Sequence, residues 1–163
     1  MKRTAFAAVI GCTLLAAACV SMSASETVTT LPANIAANAR VDEIRLTRGD
    51  IRVGEGFDEL FRTRVKAKLD ACAKGSRGLR LDASIHRYER TNPVITTVLA
   101  GRNVIRGEAR LTEIATGKEV AVYQIGHTVV GGKLGILAMG QAEQQLSDAF
   151  GTELCNQAFA TAK

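Results

Sequence analysis

The sequence predicts an α+β fold: a two-layer sandwich in the order β-α-β-β-β-α, with a mainly antiparallel sheet and two helices on one face. Three observations predict it. Apolar and polar residues alternate in several stretches, two other stretches repeat their apolar residues every three or four positions, and only short turns separate the last three strands. The 163 residues supply a single core.

The first predicted strand and helix lie in the first half of the domain. The strand covers residues 41–53, where apolar residues stand among charged ones and Gly49 suits a bulge or kink. In the helix, Asp58 and Glu59 lie in the first turn, where acidic residues suit the helix dipole, and Gly75 is a natural stop. The apolar residues of the helix share one face: Phe57, Leu60, Phe61, Val65, Leu69 and Cys72.

Three strands and a second helix complete the predicted domain. Residues 79–85 and 105–111 alternate between apolar and polar, as half-buried strands do, and residues 120–130 form a further strand. Residues 115–118, Ala-Thr-Gly-Lys, are typical of a hairpin turn. The last helix has its apolar residues on one side: Ala142, Leu146, Ala149, Phe150, Leu154 and Ala158.

The start of the chain has the pattern of an exported bacterial protein. A basic Lys2-Arg3 pair precedes an apolar stretch that is too short to span a bilayer, and three alanines then lead to Cys19. The run from Leu14 to Cys19 resembles a bacterial lipobox. That resemblance implies a lipoprotein signal peptide over residues 1–18 and acylation of Cys19. Ordinary cleavage, at Ala18 or among residues 21–25, is the alternative.

Localisation and domain boundaries follow from this start. Because Val20 rather than an acidic residue follows the cysteine, the resemblance implies the periplasmic face of an outer membrane. Residues 19–40 are small and polar without a strong period, so we expect a flexible tether with a short strand near residues 27–31. Residues 41–163 then form the single α+β domain.

The element order also resembles a known class of proteins. Across about residues 41–160 it is similar to small envelope lipoproteins, such as the lipopolysaccharide-assembly lipoprotein and several uncharacterised lipoprotein families. The resemblance concerns the fold and assigns no role to any residue.

The predicted layout places two cysteines at the same end of the domain. A crossover helix and a meander make both helices run in the same direction. Cys72 is near the end of the first helix, and Cys155 is near the end of the second. Because an exported protein meets an oxidising environment, we predict a Cys72–Cys155 disulfide, with two buried free thiols as the alternative.

The opposite end of the layout carries two unusually apolar connections, which would form a contact edge for a partner, a lipid or a membrane if they are exposed. The alternative is that the first extends a strand, and that the second tucks under the sheet or starts the last helix. The residues of this possible edge are Val94, Ile95, Val98, Leu99, Leu134, Ile136, Leu137 and Met139.

The sequence contains no motif that is typical of catalysis, metal binding, cofactor binding or nucleic-acid binding. The two histidines, His86 and His127, are isolated on predicted strands, and no metal-binding spacing, cofactor loop or nucleophile elbow is found. A net charge of +5 with 4% aromatic residues does not indicate nucleic-acid binding. We therefore expect no cofactor, no metal and no enzymatic activity.

The function expected from the sequence is a non-catalytic, lipid-anchored envelope protein that acts as a binding or assembly-support module. Its expected partners are the membrane, through the N-terminal lipid, and another envelope protein. The alternative is a lipid- or glycan-binding transport accessory protein that holds a small amphiphile at the apolar edge.

Overall fold

The computed structural model describes residues 20–90, 101–131 and 141–160. In these ranges the chain has the predicted α+β architecture, a mostly antiparallel sheet packed against helices. The elements are β1 (Val20–Ser23), β2 (Glu26–Thr29), α1 (Ala33–Ala36), β3 (Ala39–Arg48), α2 (Phe57–Cys72), β4 (Arg77–Glu89), β5 (Gly101–Glu113), β6 (Glu119–Gly131) and α3 (Ala142–Ala158).

The sheet has the strand order β1-β6-β5-β4-β3, and β2 also pairs with β6. Strands β3 and β4 are parallel, as the crossover through α2 requires, while the other described pairs are antiparallel. The turn from β5 to β6 places Gly117 at a φ of 68°, a conformation that glycine adopts without a steric cost. The crossover and the meander are therefore both confirmed.

The core lies between the helices and one face of the sheet. Along β4 every second residue is buried from Leu79 to Ile85, as alternation along a strand requires. The two long helices meet through Phe61 and Phe150, whose rings lie edge to face with centroids 5.2 Å apart. No long helix of the described chain covers the other side of the sheet, which we call the open face.

The first predicted strand is shorter than its sequence pattern suggested. Strand β3 ends at Arg48, and the N–H of Gly49 then donates to the carbonyl of Ile85 at 3.0 Å. The N–H of Ile51 donates to the carbonyl of Gly49 at 2.8 Å, so the chain turns there. Ile51 and Val53 pack partly against the core from this loop, which explains their apolar character.

The expected tether is corrected over residues 20–40, which belong to the domain. Strands β1 and β2 pair with β6. Leu31 and Ile35 are buried in the core, and the N–H of Leu31 donates to the hydroxyl of Tyr123 at 2.9 Å. The small polar residues that suggested a tether are suited to an edge strand, whose side chains meet polar partners and solvent.

Candidate functional site

The predicted disulfide is present. Cys72 and Cys155 are bonded, with 5.9 Å between their Cα atoms and 83 residues of sequence separation. The bond joins the last turns of α2 and α3, which confirms that both helices run in the same direction. We call this end of the domain the disulfide end.

The remaining predicted site residues lie outside the described residues. They are Cys19 and the eight residues of the apolar edge, Val94, Ile95, Val98, Leu99, Leu134, Ile136, Leu137 and Met139. The described residues next to them meet at one end of the sheet, where Val20 pairs with Val130 and Gly101 pairs with Gly131. We call it the Val20 end, and both helices run from it towards the disulfide end.

A polar cluster on the helix side of the sheet holds β1 against the rest of the domain. The Oγ of Ser21 lies 2.7 Å from the Nε2 of His127, whose Nδ1 lies 2.9 Å from the Oε1 of Glu153. The hydroxyl of Ser23 donates to the Oε2 of Glu153 at 2.6 Å. Two serines of β1 are thus bonded to a histidine of β6 and a carboxylate of α3.

The partners in this cluster determine which nitrogen of the neutral histidine carries the proton. Because Glu153 accepts from the Nδ1–H of His127, the Nε2 is free to accept the hydroxyl proton of Ser21. The histidine and glutamate side chains are only 12% and 10% exposed. The connectivity, from hydroxyl to imidazole to carboxylate, is also that of an activated serine nucleophile.

Sequence reasoning missed this cluster, although one signal pointed to it. Glu153 lies three residues after Phe150 and seven after Leu146, on the apolar stripe of α3, and it is buried. A carboxylate on such a stripe needs a polar partner, because burying an unpaired charge is costly. The sequence does not identify that partner, because the small polar residues around Ser21 predict a tether rather than a strand.

The other side of β1 is apolar and exposed. Residues alternate along the strand, so Val20 and Met22 point to the open face while the two serines point to the cluster. Val20 is 54% exposed and Met22 is 49% exposed. β1 therefore has a polar attachment on one face and exposed apolar side chains on the other.

A cavity of about 410 Å³ also opens at the Val20 end, where β4 ends beside the β3–α2 loop. Burial and the nearby carboxylate of Glu143 raise the pKa of Tyr88, whose buried hydroxyl has no hydrogen-bond partner among the described residues. Two arginines and two acidic residues give the lining a mixed charge: Asp50, Ile51, Arg52, Tyr88, Glu89 and Arg90.

Two other features are absent from the described ranges, a cluster of metal ligands and a membrane-spanning helix. No group of three or more histidine, cysteine, aspartate or glutamate side chains there has a metal-binding arrangement. The helices described are too short or too polar for any of them to cross a bilayer.

The fold is similar to solved structures of low sequence identity. PelC from Paraburkholderia phytofirmans, solved as a dodecamer, is 13% identical with a TM-score of 0.56, over 84% of this chain and 99% of that one. A candidate lipoprotein from Caulobacter crescentus is 17% identical with a TM-score of 0.43, over 69% of this chain and 85% of that one.

A DUF330 protein from Xanthomonas campestris is 13% identical with a TM-score of 0.46, over 80% of this chain and 91% of that one. No protein-family model matches the chain, and no curated protein matches it. The structural neighbours thus include a candidate lipoprotein and a member of an uncharacterised family, and the likeness at these identities concerns the fold.

Proposed function

We propose that this chain is a lipid-anchored protein of the bacterial envelope that acts without catalysis, as a binding or assembly module. One observation carries the proposal. The sheet begins at Val20, directly after the cysteine of the lipobox-like run, and the cluster of Ser21, His127 and Glu153 fixes that strand. A lipid on Cys19 would hold the folded domain against the membrane rather than on a tether.

The anchor is tested by the intact mass of the protein extracted from cell envelopes. We expect a mass that begins at Cys19 and includes two or more acyl chains, because such chains give stable membrane attachment. The Cys19→Ser variant is expected to lose the acyl mass and leave the membrane fraction. An unacylated wild-type mass that begins at another residue would contradict the proposal.

Assembly is the second part of the proposal. Such a module can bind another envelope protein or further copies of itself, and the PelC structure of similar fold is a dodecamer. Crosslinking in intact envelopes, followed by native mass measurement of the extracted particle, distinguishes the two forms. Recovery of a monomer alone, without any crosslinked protein, would contradict assembly. A copurified small amphiphile would instead favour a ligand-binding role for the cavity beside Tyr88.

A second candidate function, an acyl-transfer or hydrolytic enzyme, is favoured by the connectivity of Ser21, His127 and Glu153. Such an enzyme also needs donors that stabilise the oxyanion of its transition state. A fluorophosphonate probe, which reacts with activated serines, tests this function. Under the non-catalytic proposal neither wild type nor Ser21→Ala is labelled. Labelling that Ser21→Ala abolishes and the matched Ser23→Ala retains would establish the enzyme instead.

A further inference from the structure

We infer that the open face at the Val20 end is a membrane-docking surface, which lies on the headgroups of the bilayer that holds the anchor. The surface is formed by Val20, Met22 and Val130 together with Arg102 and Arg106. This inference rests on the proposed lipid anchor and adds to it an orientation: the sheet contacts the bilayer through one defined corner.

Chain length brings this corner to the bilayer. Adjacent Cα atoms are 3.8 Å apart, and three residues span at most about 11 Å, so Met22 cannot be farther than that from an acylated Cys19. The headgroup region on each side of a bilayer is about 5–8 Å thick. Both exposed apolar residues of β1 are therefore within reach of the lipid interface.

The register of the sheet determines which face of β1 is turned towards the bilayer. Ser21 and Ser23 are bonded to His127 and Glu153 on the helix side, so β1 cannot rotate without breaking those bonds. Val20 lies opposite Val130, which in turn lies opposite Arg102, so an apolar pair and a cation stand in one row. This row combines the apolar and cationic groups that favour a lipid interface.

The charge of the open face differs between its two halves. Towards the disulfide end, arginines are matched by acids, as in Arg80–Asp82, Arg45–Glu43 and the contacts of Arg110 with both Glu108 and Glu119. Towards the Val20 end, two arginines contact the same acid, and a third arginine lies on the neighbouring strand.

In that half, Arg87 and Arg102 both contact Glu89, and Arg106 lies opposite Arg87. The excess positive charge near the anchor favours anionic headgroups, and each arginine close to such a surface contributes about 1 kcal/mol.

A fluorophore at Met22 tests the docking directly. The proposed mature chain has no free thiol, because Cys72 and Cys155 are bonded and Cys19 is acylated. The Met22→Cys variant can thus be labelled with nitrobenzoxadiazole and reconstituted into vesicles of phosphatidylglycerol and phosphatidylcholine. The matched control is Ile114→Cys at the β5–β6 turn, where an apolar side chain is 41% exposed.

We expect spin-labelled lipid to quench the fluorophore at position 22 and to leave the one at position 114 unquenched. Equal, weak quenching at both positions in protein that stays on the vesicles would overturn the docking and leave the anchor intact. Protein that does not stay on the vesicles would instead overturn the proposed anchor. A spectral shift at position 22 that persists in detergent would show a second copy on the surface and would also overturn the docking.

The arginines provide a second, independent readout. In Arg102→Gln and Arg106→Gln variants, we expect the ratio of docked to undocked protein on anionic vesicles to fall about fivefold for each arginine, the factor that corresponds to about 1 kcal/mol. The matched control Arg45→Gln, at the far edge of the same face, is expected to have no effect. An equal loss from all three variants would contradict a docking surface at this corner.

Discussion

The two ends of the domain are fastened in different ways. At the disulfide end a covalent bond joins α2 to α3, and Arg77 of β4 forms an ion pair with Glu113 of β5. At the Val20 end the described part of the chain shows hydrogen bonds from β1 to His127 and Glu153, and exposed apolar residues. The disulfide end is thus fastened covalently, whereas the Val20 end, to which we assign the membrane contact, is held by hydrogen bonds.

The largest expected effect comes from removing the disulfide. The disulfide closes a loop across 83 residues and so lowers the conformational entropy of the unfolded chain. The double variant Cys72→Ala with Cys155→Ala removes this restriction. We expect the free energy of unfolding, measured in urea, to fall by about 4 kcal/mol. Hydrogen exchange in β1 under native conditions is expected to stay as in wild type. A loss below about 1 kcal/mol would contradict the stabilising role of this bond.

The next effect concerns the attachment of β1. Glu153→Ala leaves His127 and Ser23 without the carboxylate that they contact. We therefore expect the free energy of unfolding to fall by about 1–3 kcal/mol. Amide exchange in residues 20–23 should also accelerate, measured by mass spectrometry.

The matched control is Asp148→Ala, on the same helix, which removes ion pairs to Arg64 and Lys68 that are partly exposed. Because exposed ion pairs contribute little to stability, we expect the free energy of unfolding to fall by at most about 1 kcal/mol. Amide exchange in β1 should not change. Equal exchange in both variants would show that the cluster does not hold the strand.

A smaller effect concerns acid stability at the disulfide end. Hydrogen bonds from Arg77 and Thr116 lower the pKa of Glu113 below its ordinary value of 4.5. The folded state therefore binds this proton less readily than the unfolded chain, so the contribution to stability is present above about pH 4.5 and is lost as the pH falls through the folded pKa.

In Glu113→Gln, the free energy of unfolding should fall less steeply as the pH is lowered. Urea unfolding from neutral pH downwards measures this dependence. Glu55→Gln, in the exposed loop before α2, is the control and should leave the curve unchanged. The same acid slope in wild type and in Glu113→Gln would contradict the ion pair as its source.

The fold was largely predictable from the sequence, and the candidate site was not. The apolar stripe of α2 and the alternation of β4 are local patterns, and the shared direction of the helices followed from connection lengths. The cluster of Ser21, His127 and Glu153 joins residues separated by more than a hundred positions. Strand β1 has four residues and owes its place to β6 rather than to its own period, so local patterns do not reveal it.

The last pair of variants is expected to change stability least, and it tests most directly whether the Val20 end and the disulfide end differ in their contact with lipid. Met22→Ser and Ile114→Ser each remove an exposed apolar side chain, one at the Val20 end and one at the disulfide end. Because neither side chain lies in the core, both variants should change the free energy of unfolding by less than about 0.5 kcal/mol.

Quenching by spin-labelled lipid, measured with a fluorophore at Val20 through Val20→Cys, separates the two variants. We expect Met22→Ser to reduce the quenching, because the apolar contact beside the label is lost, and Ile114→Ser to leave it as in the labelled parent. A stability loss in Met22→Ser would show that the residue supports the sheet. Equal quenching in both variants would show that the Met22 side chain contributes nothing to the contact of β1 with lipid.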